Sequence, residues 1–268
     1  MRADALACLR ELNEGLPAEA AFPVSGILDA HYAMVLRRGW AQDEMAVAVA
    51  TSNSPAGHIH FDYGSVTIGA FGRWLIADPG YQQYMPGDER EFTIGVTAHN
   101  APVLNGQAQQ QKAGKIVAQE NEGNDICKLK VDMTACYAPE AGAGLVSRTI
   151  WLWGRNLAVI ADQIGGAGIK TVAYHWHGDP EAAWRIEPGW ALLYVKSAAR
   201  LWVGSPSLTI SEAGLDRLPG SRGQLTLSTQ GKTGPVIWWV FSLSESRPAL
   251  EADPDGGSLT VSGRRFAP

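Results

Sequence analysis

The sequence is poor in features that mark several common classes of protein. It has only three cysteines in 268 residues and no CxxC spacing, so neither a disulfide framework nor a thiolate zinc site is indicated. It contains no run of 18 apolar residues, so no membrane-spanning helix is predicted. Its 22 basic residues are outnumbered by 27 acidic ones, and a net charge of -5 argues against non-specific nucleic-acid binding.

Long amphipathic helices are also scarce, whereas the residues of strands and turns are plentiful. Ten Trp, thirty Gly and fifteen Pro accompany many short runs in which apolar and polar residues alternate. Only residues 4–16 carry a helical apolar stripe, which Pro17 ends. We therefore predict an all-β fold, a large antiparallel β-sandwich of the supersandwich type with a short N-terminal helix. Residues 1–25 form the helix and linker, a possible remnant of a larger helical domain, and residues 26–268 form the β domain.

Turn signals between the apolar runs predict the local pairing of strands. Residues 65–71 and 74–77 form a tight hairpin, and residues 224–228 and 236–243 form another. The 20 or so residues that follow position 77, rich in Gly, Pro and charge, are expected to be a long loop. Trp151, Trp153, Trp238 and Trp239 are expected in the sandwich core, with stacking on sugar as the alternative.

Three of the six histidines and two carboxylates lie within about forty residues. In His58-Ile-His60-Phe-Asp62 a strand would place all three polar side chains on one face. Asp78 precedes a Pro-Gly turn and His99 follows about twenty residues later. Imidazole and carboxylate suit zinc, although a histidine pair satisfied in a core or on a surface is the commoner case.

Two metal-binding families with their own HxH motifs do not fit. The metallo-β-lactamase pattern HxHxDH requires a histidine where Tyr63 stands. A cupin requires a glutamate a few residues after the pair, and residues 61–69 contain none. Both families are therefore rejected.

A third family accounts for the whole stretch from about residue 33 to 110. The order HIHFDYGS, LIADPG and AHN, at residues 58–65, 75–80 and 98–100, resembles the pattern HxHxDxxS, LxxDPG and AHN of heparinase II/III-like polysaccharide lyases. Further along, Arg148 in Ser-Arg-Thr and Asp162 in Ala-Asp resemble the family less specifically.

The resemblance implies a β-sandwich that holds one structural zinc ion per chain. Its ligands would be His60, Asp78 and His99, with His58 in the substrate cleft. Asp62 would then orient a ligand or the strand. A closed site of this kind ties loops to strands.

The resemblance also implies β-elimination on a uronic-acid-containing polysaccharide, with heparan sulfate, heparin and alginate all open as substrates. His58 and Tyr84 are the expected catalytic residues, and Tyr81, Arg148 and His175 the expected substrate contacts. Imidazole titrates near neutral pH, which suits a base or a carboxylate partner.

Members of the family usually carry an N-terminal α/α toroid, and only one helix is predicted here, so a toroid supplied by a separate domain or chain is expected as partner. The alternative is a non-catalytic, zinc-stabilised carbohydrate-binding or assembly domain that needs such a partner. The family is commonly periplasmic or secreted, whereas residues 1–25 lack the apolar stretch of an export signal.

Overall fold

The computed structural model describes residues 26–30, 32–52, 60–78, 80, 84–107, 109–123, 125–195, 199–215, 225–231 and 236–268. The predicted helix at residues 4–16 and the segment 1–25 lie outside these residues, as do His58 and Tyr81. No helix in the described ranges has both the length and the apolar character needed to cross a membrane.

Consecutive hairpins build a five-stranded antiparallel sheet. Its middle strands alternate strictly: β3 reads Ala-Val-Ala-Val-Ala, and its valines are buried while its alanines are half-buried. This is the period-two pattern of a sheet with one core face. The strands are β1 (Gly26–Asp29), β2 (Ala33–Arg37), β3 (Ala46–Ala50), β4 (Val66–Ala70) and β5 (Arg73–Ile76).

One short helix and a three-residue strand follow the first sheet. Helix α1 (Asp88–Ile94) lies within the segment predicted as a long loop, and a 3-10 turn (Val96–Ala98) and strand β6 (Pro102–Leu104) come after it. A seven-residue helix is too short to show an apolar period, although three acidic residues in its first turn favour a helix start.

An eight-stranded antiparallel sheet forms the opposite layer, in the order β12-β13-β14-β17-β10-β9-β8-β7. Its middle strand β17 is buried on both faces, as expected for a strand between two packed layers. The strands are β7 (Lys115–Glu122), β8 (Ile126–Asp132), β9 (Leu145–Trp153), β10 (Leu157–Gly165), β12 (Ala182–Glu187), β13 (Trp190–Val195), β14 (Ala199–Gly204) and β17 (Ile237–Ser242).

Two smaller antiparallel sheets complete the fold. The four-stranded sheet has the order β15-β16-β11-β6, and the three-stranded sheet has the order β18-β19-β20. Two further 3-10 turns, Thr134–Cys136 and Pro139–Ala141, separate β8 from β9. The remaining strands are β11 (Val172–His177), β15 (Ile210–Leu215), β16 (Leu225–Gly231), β18 (Leu250–Ala252), β19 (Leu259–Val261) and β20 (Arg264–Phe266).

The main core lies between the eight-stranded sheet on one side and the five- and four-stranded sheets on the other. Buried side chains from all three sheets, such as Leu36, Trp176 and Trp239, belong to this one cluster. A second cluster, containing Trp151 and Trp238, lies beneath the three-stranded sheet on the other face. The predicted all-β sandwich is therefore confirmed for the described residues.

The predicted hairpin between residues 224–228 and 236–243 is wrong. Strand β16 pairs with β11 and β15, whereas β17 pairs with β10 and β14, so the two strands belong to different sheets. The turn residues between them signal a reversal of the chain, but they carry no information on which strand each run joins.

Candidate metal centre

Three separate segments bring polar side chains to one end of the five-stranded sheet. His60 and Asp62 precede β4, and Asp78 follows β5. Because β4 and β5 are antiparallel neighbours, the start of one lies beside the end of the other. His99 follows the 3-10 turn Val96–Ala98, which brings it to the same place.

Both oxygens of the Asp78 carboxylate have partners. Oδ1 accepts a hydrogen bond from the Gly80 amide at 2.8 Å, a turn contact two residues away. Oδ2 lies 2.7 Å from Nδ1 of His99. Asp78 thus fixes the orientation of the His99 ring.

The other ring nitrogen of His99 is buried without a hydrogen-bond partner in the described part of the chain. The His60 ring lies beside it, with ring centroids 5.1 Å apart. Three donor atoms, one each from His60, Asp62 and His99, lie within 4.8 Å of one another. A buried polar atom left without a partner is costly, so a further ligand for this nitrogen is expected.

Burial and neighbouring charges shift the pKa values of the four clustered side chains in different directions. Burial opposes charge on His99, but the Asp78 carboxylate outweighs it and raises the pKa of His99. Burial likewise opposes the charged form of Asp78, but His99 lowers the pKa of Asp78. Burial lowers the pKa of His60 and raises that of Asp62. Neighbouring charge thus favours a charged His99–Asp78 pair, whereas burial favours the uncharged form of His60.

Asn100, next to His99, joins three strands through its side chain. Its amide nitrogen donates to the carbonyls of Val66 and Ala77, at 2.8 and 2.7 Å, and its oxygen accepts from the His177 amide at 2.9 Å. Its own backbone amide donates to Ser65 Oγ at 3.0 Å. The end of β5, the start of β4 and the end of β11 are thereby held together beneath the donors.

A buried ion pair lies below this junction and corrects one prediction from the sequence. Arg148 has no exposed surface, and its guanidinium donates to both oxygens of Asp162 at 2.7 and 2.8 Å. It also donates to the carbonyls of Gly64 and Asn100, and Tyr174 donates its hydroxyl to Asp162. Arg148 was predicted to contact substrate, but its burial excludes that role and makes it a support for the site.

The other predicted residues lie as follows. Tyr84 is 68% exposed just before α1, and His175 is half-buried on β11, opposite Ser228. His58 and Tyr81 are outside the described residues. The structure therefore groups His60 and His99 with Asp62 and places Asp78 on Nδ1 of His99, so the zinc ligands and the four cleft residues stay predictions.

Two residues of the site were undervalued in the sequence. Asp62 was interpreted as an orienting carboxylate, yet it stands with His60 and His99 among the converging donors. Its spacing of two residues from His60 and four from His58 predicts that all three side chains share one strand face. Asn100 was noted only as part of a motif, and a single sequence offers no signal for bonds to three distant strands.

The fold and this donor set together define an antiparallel β-sandwich domain with a candidate metal centre between its strand ends. Residues 18–253 match the family model described as Heparinase II/III-like, C-terminal, and the chain belongs to that family. No curated protein sequence matches the chain at a significant level.

Two solved structures show the same fold. Heparan sulfate lyase HepC from Pedobacter heparinus superposes with a TM-score of 0.76 at 15% identity, over 95% of this chain and 44% of that one. A crystal structure of heparinase III superposes with a TM-score of 0.73 at 15% identity, over 92% and 42%. The chain thus spans less than half the length of these structures.

Proposed function

We propose that this chain is the zinc-containing β-sandwich part of a polysaccharide lyase that cleaves uronic-acid-containing polysaccharide by β-elimination. The observation that carries the proposal is the grouping of His60, Asp62 and His99 at one end of the sheet, with Asp78 bonded to Nδ1 of His99. The family and the lyase activity in the name of the HepC neighbour agree with it.

His60, Asp62 and His99 would hold one zinc ion, and Asp78 would orient His99 through Nδ1. Imidazole nitrogens and a carboxylate oxygen match the donors of zinc sites. The buried His99 Nε2, without a partner in the described ranges, supports this fit. His60, Asp78 and His99 are the ligands that the family resemblance implies, whereas the 4.8 Å grouping contains Asp62 in place of Asp78. Bound zinc would tie the segments before β4 and after β5 to the turn at His99.

The elimination needs three groups. One neutralises the uronate carboxylate, a base removes the proton from C5, and an acid protonates O4 as the C4–O4 bond breaks and the C4=C5 double bond forms. We assign His58 as base or carboxylate partner and Tyr84 as acid, with Tyr81 and His175 as substrate contacts. These roles follow from the family resemblance.

A non-catalytic function, as a zinc-stabilised carbohydrate-binding or assembly domain, is the second candidate. The chain spans 42–44% of the two solved structures, so a cleft of the same size would need a further domain or chain, such as an α/α toroid. Alone, the domain would bind acidic polysaccharide or assemble with that partner.

Incubation with heparan sulfate, heparin and other uronate polymers, followed by ultraviolet absorbance of the unsaturated product, separates the two candidates. Product formed by the wild-type chain and lost in His58→Ala and Tyr84→Phe supports the lyase. Retention on immobilised polymer without product from any substrate supports the binding domain. Metal analysis of protein purified without added zinc should give about one equivalent.

A further inference from the structure

A second candidate site lies at the opposite end of the five-stranded sheet. A groove of about 320 Å³ separates the turn before β3 from the β4–β5 hairpin. That volume is at the lower end of the range of small-molecule sites. Phe71 and Gly72, both with positive φ, form the two-residue turn of this hairpin, and the Phe71 amide donates to the Gln42 carbonyl. The walls of the groove are thus tied together.

Trp74 on β5 gives the groove an aromatic surface. The side chain is 56% exposed, although strand tryptophans elsewhere in the fold are largely buried. It pairs across the hairpin with Gly69, where the register shifts by a bulge. A Cβ on Gly69 would lie 3.1 Å from two carbons of the Trp74 ring, so the ring rests on bare backbone. The exposed area of the ring therefore lies away from the sheet and lines the groove.

Polar groups stand beside this ring. The Gln42 side chain is exposed and lines the groove. Glu44 is 9% exposed and is held by Arg155 at 2.6 Å and by the Ala41 amide at 3.2 Å. The groove thus combines an open aromatic face, an exposed amide and an immobilised carboxylate.

The charges of the groove are already paired. Arg73 donates to Asp179 at 2.9 Å and to Glu181 at 2.7 Å, and Glu44 is paired with Arg155. A uronate or sulfate group would meet carboxylates without an uncompensated cation, which disfavours an anion. An uncharged ligand meets no such barrier.

We propose that this groove binds an uncharged pyranose residue of a polysaccharide, stacked on Trp74 and hydrogen-bonded by Gln42. The axial C–H groups of a pyranose form an apolar face that packs on an aromatic ring, while its hydroxyl groups need donors and acceptors at the edge. The four residue-to-residue steps from Trp74 to Asp78 span at most about 14 Å, so one polysaccharide chain can reach both ends of β5. The proposal requires neither zinc nor elimination.

The test is titration calorimetry of the full chain with cellohexaose and with N-acetylchitohexaose, two uncharged oligosaccharides. Wild-type protein should bind at least one of them, and Trp74→Ala should weaken that binding at least tenfold. Gln42→Ala should weaken it severalfold, and Trp74→Phe should keep part of it. Trp40→Ala is the matched control: Trp40 is 50% exposed, but Arg37 covers its ring at 3.3 Å, so binding should not change.

Several results would overturn the proposal: no binding of either oligosaccharide by the wild type, equal affinity in Trp74→Ala, or binding confined to an oligouronate. Metal content and the unfolding transition of each variant are measured in parallel. Both should match the wild type, because the substituted side chains are exposed. If the wild type binds a neutral oligosaccharide but shows no elimination activity, that result contradicts the proposed lyase function and leaves the groove proposal standing.

Discussion

Two ionic pairs, one fully buried and one partly buried, lie at the same end of the sandwich, and they differ in whether the chain satisfies all their polar atoms. Arg148 and Asp162 contact each other at 2.7 Å, and neighbouring carbonyls and Tyr174 supply their other partners. His99 and Asp78 also meet at 2.7 Å, but His99 Nε2 is left without a partner in the described residues.

The difference separates support from ligand binding. A buried pair whose donors and acceptors are satisfied within the protein needs nothing from outside, and it fixes the strands that carry it. A pair with a buried, unsatisfied nitrogen, next to another imidazole and a carboxylate, is complete only when something binds there. Stability should therefore depend on metal at the second pair and not at the first.

The largest effect is expected from breaking the complete pair. Arg148→Met leaves Asp162 buried without its cation and should destabilise the fold by about 3–5 kcal/mol. Urea unfolding with and without a chelator measures this, and the loss should be the same in both. Arg185→Met, at a 60% exposed ion pair with Glu187, is the control and should cost less than about 1 kcal/mol. A cost for Arg148→Met as small as that of the control would contradict the proposed supporting role.

Removing the metal should lower the stability of the fold only through the His99–Asp78 pair. At free zinc one hundred times the Kd, binding adds about 2.7 kcal/mol, so a chelator should lower the unfolding midpoint of the wild type. His99→Ala should bind no metal and be insensitive to the chelator. His177→Ala is the control, because that histidine is also buried but its Nε2 contacts the Thr97 carbonyl. It should lose stability yet keep its metal, and metal retained in His99→Ala would refute the ligand assignment.

The two carboxylates of the cluster can be compared directly. Asp62→Asn and Asp78→Asn should each weaken zinc binding at least tenfold, because the first removes a charged donor and the second removes the carboxylate that orients His99. Competition with a chromophoric chelator measures the affinity. Asp179→Asn, whose carboxylate pairs with Arg73 at 2.9 Å, should leave it unchanged. A carboxylate whose amide variant binds zinc normally is not a ligand.

A smaller, pH-dependent effect should appear once metal is removed. The raised pKa of His99 stabilises the fold below its unfolded value of about 6.5, and this contribution disappears as the pH rises through the folded value. The lowered pKa of Asp78 stabilises the fold above about 3.9, and that contribution disappears as the pH falls through the folded value. The pair therefore contributes most between about pH 4 and 6.5.

Asp78→Asn in chelated protein should accordingly cost more stability at about pH 5.5 than at about pH 9, by urea unfolding at both. Arg148→Met should cost the same at both, since a guanidinium does not titrate in this range. An Asp78→Asn cost that is unchanged or larger at the higher pH would contradict the assigned ion pair.

The sequence predicted what depends on local pattern. Alternating runs predicted the sandwich, and the motifs that carry the family resemblance pointed to His60, Asp78 and His99, which the fold brings to one end of the sheet. Both signals depend only on the period of a strand and the position of a turn.

What failed depends on contacts between distant segments. The sequence predicts a strand at Arg148 whether its side chain contacts substrate or supports the site. Its guanidinium is buried because other layers of the fold pack over it. The partner of β16 is likewise set by tertiary packing, not by the turn that precedes β17. The exposed ring of Trp74 depends on a glycine across the hairpin, a pairing that tryptophan content alone does not indicate.

The three-strand junction at Asn100 makes the domain sensitive to the smallest chemical change at that position. Deamidation replaces the NH2 group by an oxygen of almost equal size, so the cavity would still fit the side chain. The two carbonyls of Val66 and Ala77 would then face an acceptor in place of a donor. The added negative charge, without any change of shape, would weaken the contacts that hold the ligand-bearing segments together.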